Sequence, residues 1–185
     1  MSITTADFKT GMTILYNNQI FTIVDFQHVK PGKGQAFVRT KLRNLRTGTT
    51  TEYSFNAGEK LEQAMIEKKK MQYLYGGSEY CFMDMETYEQ VEIPAKTLED
   101  QVKYLKENLD IQIEYYNGEI IGITLPEKIE YEVVETTEAV KGNTTNNAMK
   151  DATIETGYIV KVPLFIAQGE KIIISTKDGI YSGRA

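Results

Sequence analysis

Cysteine is almost missing from this chain. The one thiol, Cys81, lies in Tyr80-Cys81-Phe82-Met83, so an internal disulfide is excluded and no neighbouring cysteine or histidine completes a metal-ligand set. A buried, small apolar residue is the expectation there. Histidine is as scarce: a Ser-His-Asp triad could use only His28, whose place on a strand beside a loop suits a half-exposed structural residue better. The longest apolar runs, such as Ile172-Ile173-Ile174, are far too short to span a bilayer. The amino terminus lacks a charged region followed by an apolar stretch. With 14 glycines and only 4 prolines in 185 residues, the composition is that of a soluble globular protein. A cytoplasmic protein with no metal, cofactor or membrane anchor is expected.

What the chain does have is an uneven charge. The net charge is -5, yet residues 1–65 hold 8 Lys/Arg against 5 Asp/Glu, residues 66–127 hold 6 against 13, and residues 128–185 hold 7 against 8. Only the first segment is basic. Lys30, Lys33, Arg39, Lys41, Arg43 and Arg46 fall within 17 positions with no acid between them, a run suited to phosphate contacts and equally compatible with a solvated strand face.

This run is centred on a hairpin. On one side Ile20, Thr22 and Val24 alternate with Phe21, Ile23 and Asp25; on the other Phe37, Arg39 and Lys41 alternate with Val38, Thr40 and Leu42. Between them lies Lys30-Pro31-Gly32-Lys33-Gly34-Gln35. Pro31 cannot donate to a ladder and the glycines admit unusual backbone angles, so strand pairing should stop before the tip. Lys33 then stands between two glycines, where its ammonium can approach an anionic backbone closely. An ordinary solvated turn has the same composition. A phosphate-cradling NTPase loop does not fit, because the second glycine followed by Lys-Ser or Lys-Thr is missing.

Along the chain, residues 1–64 contain about five short strands and suggest a small barrel with one long loop. A second unit, 65–127, opens with Met71-Gln72-Tyr73-Leu74-Tyr75 and holds the one convincing helix. Thr97 can cap it, and Leu98, Val102, Leu105 and Leu109 recur at helical spacing. Asn117-Gly118 then marks a type I′ hairpin. A third unit, 128–185, resumes the alternation at Ile129, Tyr131 and Val133. It carries a polar loop, Lys141 to Lys150, expected to be exposed. None of the three could bury a large core alone, so contacts between units should help hold them together.

Two distant stretches resemble the bacterial elongation factor P family. Lys30-Pro31-Gly32-Lys33-Gly34-Gln35-Ala36-Phe37 looks like that family's tip loop, with its modified lysine at Lys33. Lys150, Ala152, Gly157, Val160, Val162-Pro163, Ile166 and Gly169 match the signature of its last domain at every fixed spacing. Length and the intervening Met71 to Tyr75 stretch agree as well.

The resemblance implies an SH3-like barrel followed by two oligonucleotide-binding (OB) barrels in an L-shaped, monomeric protein. It also implies binding to the ribosome between the exit and peptidyl sites. There Lys30, Pro31, Gly32, Lys33, Gly34 and Gln35 would reach the acceptor end of the peptidyl transfer RNA and relieve stalling at consecutive prolines, without the protein being an enzyme. The partners so implied are ribosomal RNA and proteins, the transfer RNA, messenger RNA and a lysine-modifying enzyme. Lysine at the tip excludes the sugar modification of the arginine-bearing branch, and leaves lysylation, an amino-alcohol or a bare amine open. Lys141, Gly142, Asn143, Thr144, Asn146, Asn147 and Lys150 correspond to a loop near the exit-site codon, with uncharged donors and acceptors for RNA. Two other readings stay open: a general single-stranded RNA chaperone, which requires exposed stacking aromatics in a groove, and the close paralogue of the same family.

Overall fold

The computed structural model describes residues 1–139 and 148–185. Strands dominate these residues and fall into three sheets, of 6, 5 and 5 strands.

The first sheet comprises β1 (Ser2–Thr4), β2 (Thr13–Tyr16), β3 (Gln19–Val29), β4 (Phe37–Asn44), β5 (Thr50–Asn56) and β6 (Lys60–Gln63), in the order β1-β6-β2-β3-β4-β5. The β2–β3 turn is made by Asn17 and Asn18 at φ 50° and 60°, the left-handed pair whose twist matches that of the flanking strands. Alternation on β4 is strict: Val38, Thr40, Leu42 and Asn44 are buried, while Arg39, Lys41 and Arg43 are exposed. The buried face joins Ile14, Phe21, Ile23, Phe55 and Leu61 in one apolar core. Each fully buried aliphatic or aromatic side chain contributes roughly 1.5–3 kcal/mol. Phe8, Tyr16, Phe21, Phe26, Tyr53 and Phe55 add edge-on ring contacts at 5.1–6.2 Å.

One expectation from simple alternation fails here. Val24 is a bulge, because β3 pairs Ile23 with Leu42 and then Asp25 with Lys41. The extra residue reverses the facing of everything after it. Asp25 therefore leaves the side of Phe21 and Ile23 and joins Lys41 on the outer face, while Phe26 and His28 turn toward the side of Thr40 and Val38.

The second sheet comprises β7 (Glu67–Gly76), β8 (Glu79–Asp84), β9 (Gln90–Pro94), β10 (Asp110–Tyr116) and β11 (Glu119–Thr124), in the order β11-β10-β7-β8-β9. Its core includes Met71, Phe82, Ile93, Ile111 and Ile113, and Cys81 is buried as expected. The helix between β9 and β10 is shorter than its leucine spacing implies. Helix α1 covers only Ala95–Leu98, is entered from Pro94 rather than capped by Thr97, and gives way at Glu99 (φ 43°) to a 3-10 segment, Glu99–Tyr104. Further on, the carbonyls of Lys103 and Tyr104 accept from the third sheet: the Thr156 hydroxyl donates to the Lys103 carbonyl at 2.7 Å and the Tyr131 hydroxyl to that of Tyr104. Beyond them Asn108 and Leu109 exchange backbone hydrogen bonds with Tyr73, which draws the chain into extended pairing. Leu98, Leu105 and Leu109 are nevertheless buried, so the apolar pattern marked packing rather than one continuous helix.

The third sheet comprises β12 (Lys128–Thr136), β13 (Met149–Ile154), β14 (Ile159–Pro163), β15 (Lys171–Ser175) and β16 (Ile180–Arg184), in the order β14-β13-β12-β15-β16. Tyr131, Val133, Ile154, Val162, Ile166, Ile172 and Ile174 form its interior. By packing, the chain divides into two compact units, Met1–Lys68 with Glu114–Gly122, and Lys69–Ile113 with Ile123–Ala185. Within the second unit, Tyr104 and Tyr158 meet edge-on at 6.0 Å and the Lys103 ammonium lies 4.9 Å from the Tyr158 ring centre.

Candidate nucleic-acid interface

The β3–β4 ladder ends at the Val29–Phe37 pair, and residues 30–35 leave it entirely exposed. The loop is anchored at its base, where the Ala57 amide donates to the Ala36 carbonyl at 3.1 Å. At Gly34 the backbone sits at φ +106°, a conformation that L side chains rarely adopt, although an added Cβ would meet only Pro31 Cγ, at an ordinary 3.9 Å. Glycine is required there by the backbone angle. Lys33 is exposed, and among the described residues its ammonium has no ion-pair or hydrogen-bond partner.

The wider basic run is altered by folding. Arg39, Lys41 and Arg43 do share the outer face of β4. Opposite them lie Gln27, Asp25 and Thr22 on β3, and Ser54, Glu52 and Thr50 on β5. Lys41 is thus flanked by two carboxylates, and Arg39 Nε lies 3.5 Å from Glu52 Oε1. A stretch free of acids in sequence becomes a mixed face in the sheet. Arg46 is not on that face. It sits in the turn shaped by the Asn44 side chain, which accepts from the Arg46 and Thr47 amides at 2.8 and 3.1 Å, and its guanidinium donates to Glu119 at 2.8 Å. Of the six cations in the run, Lys30 and Lys33 at the tip and Arg43 between Thr22 and Thr50 have no carboxylate paired with them among the described residues.

Lys141, Gly142, Asn143, Thr144, Asn146 and Asn147 lie outside the described residues. Lys150 lies within them and is buried at 9% exposure, its Nζ donating to the carbonyls of Thr137 at 2.6 Å and Glu138 at 3.3 Å. It does not present a free cation to solvent. Period-two alternation was the available signal, since it puts Lys150 on the same strand face as Ala152 and Ile154. Among the described residues no group of three or more His, Cys, Asp or Glu could hold a metal ion, and no helix is long and apolar enough to cross a membrane.

Barrel-like sheets follow one another along the chain, with exposed cations at one hairpin tip. Solved structures of translation factors share this architecture. A eukaryotic translation initiation factor 5A from Methanococcus jannaschii is 25% identical, matching 68% of this chain and 94% of its own at a TM-score of 0.53. A translation initiation factor eif-5a family protein from Naegleria fowleri shares the fold at 16% identity and a TM-score of 0.51, over 68% of this chain and 98% of its own. The family models are more specific: the elongation factor P KOW-like domain matches residues 4–61, the elongation factor P OB domain residues 66–123, and the elongation factor P C-terminal domain residues 129–184. The chain belongs to the elongation factor P family. Its fold is mainly β, an SH3-like barrel followed by two OB-type barrels, and it is a translation factor.

Proposed function

We propose that this translation factor binds the ribosome between the exit and peptidyl sites, positions the acceptor end of the peptidyl transfer RNA through Lys33, and promotes peptide-bond formation at consecutive prolines. The observation that carries this reading is the isolation of Lys33: it lies beyond the last ladder pair, between two glycines, with no partner among the described residues. An amine so placed meets a phosphate or ribose without first breaking an internal contact.

The chemistry calls for position rather than for new reacting groups. Proline fixes its own φ and attacks as a secondary amine, so the reacting atoms at a Pro-Pro junction are aligned for little of the time. Holding the transfer RNA end restores that alignment, and the acyl transfer itself remains with ribosomal RNA. The protein acts as a cytoplasmic monomer and not as an enzyme, with residues 1–64 carrying the probe, and 65–127 and 128–185 as further domains. Lys30, Pro31, Gly32, Gly34 and Gln35 shape the probe; Arg39, Lys41 and Arg43 add phosphate contacts, and Arg46 joins them only by releasing Glu119. A modifying enzyme extends the Lys33 amine further toward the peptidyl-transferase centre. Residues 141–147 contact RNA near the exit-site codon.

Lys33→Ala should leave folding and much of the ribosome affinity unchanged while abolishing rescue of a Pro-Pro-Pro reporter in a reconstituted translation system. Unchanged rescue overturns the reading. The chaperone alternative gains nothing from the aromatic side chains: the exposed Tyr75, Tyr88 and Phe165 lie on separate elements, and Phe165 is covered by the Arg184 guanidinium at 4.8 Å.

A further inference from the structure

Among the described residues the buried polar side chains are Thr5, Thr40, Asn44, Asp84 and Lys150, so Lys150 is their one buried cation. Placing an ammonium on the core face of a strand is unfavourable unless hydrogen bonds replace its water. Here they do. On β13, Lys150 lies opposite Val162 and in line with Ala152 and Ile154, and its ammonium reaches past the end of β12 to the Thr137 and Glu138 carbonyls. One rung below, Thr136 pairs with Ala152 and its hydroxyl donates to the Asp151 carbonyl at 2.8 Å. Glu170, ion-paired with Arg184 at 2.6 Å, feels the Lys150 charge only weakly. The Ala167 amide, the Arg184 guanidinium and, more weakly, the Lys150 charge hold its carboxyl below the usual range.

The same lysine therefore ties the chain leaving β12 to the chain returning into β13, at the point where ladder pairing ends. Thr137 and Glu138 lie beyond that ladder. An apolar residue at position 150 would suit the core face and leave both carbonyls without this donor. We infer that Lys150 is a positioning residue: its ammonium holds Thr137 and Glu138 against the start of β13, and it does not itself meet RNA. This rests on the reading of 141–147 as an RNA contact, and it assigns Lys150 a different task from the cations at the hairpin tip.

The test compares wild type with Lys150→Met, Lys150→Arg and a loop variant, Asn143→Ala with Asn146→Ala and Asn147→Ala. Two readouts are needed: amide hydrogen exchange across 134–139 and 148–153, and ribosome affinity against salt. Lys150→Met should speed exchange at the ladder amides nearest the clamp, residues 135–136 and 150–152, at least tenfold while leaving the rest of the sheet protected, and Lys150→Arg should restore part of that protection. Ribosome affinity should fall several-fold with no change in salt dependence, and combining Lys150→Met with the loop variant should add little to the loop variant alone. A salt slope reduced by about one would mark Lys150 as a phosphate contact and overturn the inference. Unchanged exchange, or losses that simply add, would overturn it as well. Should Lys150→Met fail to fold, Thr136→Val removes the neighbouring rung and should shift exchange and affinity in the same direction, to a smaller extent. If the loop variant binds as wild type does, the RNA-contact reading and the positioning role fall together, while exchange still decides whether the clamp exists.

Discussion

Arg46 and Glu119 form an ion pair at 2.8 Å across 73 positions of sequence, and both belong to the compact unit Met1–Lys68 with Glu114–Gly122. A turn of the first sheet and the tip of the β10–β11 hairpin are joined by it. Both side chains are more than half exposed, so a double-mutant cycle with Arg46→Ala and Glu119→Ala should give a coupling of about 0.2–1 kcal/mol that fades with salt. Because the guanidinium is already engaged, Arg46→Ala should cost less ribosome affinity than Lys41→Ala and leave the salt slope unchanged. A slope reduced by about one would show that Arg46 exchanges Glu119 for a phosphate.

The mixed face around Lys41 yields a kinetic expectation. Asp25→Asn with Glu52→Gln removes two carboxylates from beside it. Association with the ribosome should then become faster at low salt, with the gain disappearing as ionic strength rises and the Debye length falls to about 8 Å near 0.15 M. Stopped-flow association measured across a salt series checks this. Rates equal to wild type at every salt concentration would remove the face from the binding pathway.

Asp84 gives the second sheet an acid-dependent contribution to stability. Its carboxyl is lowered to about 2, chiefly by the Glu86 amide, then by the Lys69 ammonium at 3.0 Å and the Thr87 amide. A depressed carboxyl stabilises the fold above its unfolded value near 3.9 and loses that contribution as the proton returns. Urea denaturation should therefore show Asp84→Asn less stable than wild type at pH 7, with the gap closing between about pH 4 and about pH 2. A gap that persists at pH 2 would mean that turn geometry rather than charge is responsible.

Tyr131 gives the opposite dependence. It is wholly buried, its hydroxyl donates to the Tyr104 carbonyl, and burial first of all pushes its ionisation up. Its contribution is complete below the unfolded value near 10 and is lost as pH rises through and beyond it. Tyr131→Phe should cost about 1–3 kcal/mol at pH 7 by leaving that carbonyl without its donor, and should flatten the alkaline fall in stability. Denaturant midpoints measured from pH 7 to 11 test both parts.

Much of the candidate site could be read before folding. Pro31, Gly32 and Gly34 announce a loop that leaves its ladder, and Lys33 is exposed because nothing bulky flanks it. The wider basic patch could not be read in this way. Asp25 and Glu52 stand opposite Lys41 on neighbouring strands, and only pairing register brings them there. Lys150 belongs to both categories: its alternation with Ala152 and Ile154 signals the core face, but the carbonyls that accept from it lie a loop away.

Sequence alone determined what depends on near neighbours: the alternating strands, the left-handed turns at Asn17-Asn18 and Asn117-Gly118, the protruding lysine and the family signature running from Lys150 to Gly169. Tertiary structure decided what depends on distant hydrogen bonds. The helix that leucine spacing favours stops at Leu98, where Glu99 takes φ 43°, and beyond it the Lys103 and Tyr104 carbonyls accept from Thr156 and Tyr131. A bulge at Val24 turns Asp25 outward, and Glu119 and Glu52 engage arginines that look free in the linear chain. The division follows from range: a turn or a strand is favoured by the residues within it, whereas a carbonyl's donor or a cation's counterion is chosen by register and packing across the whole fold.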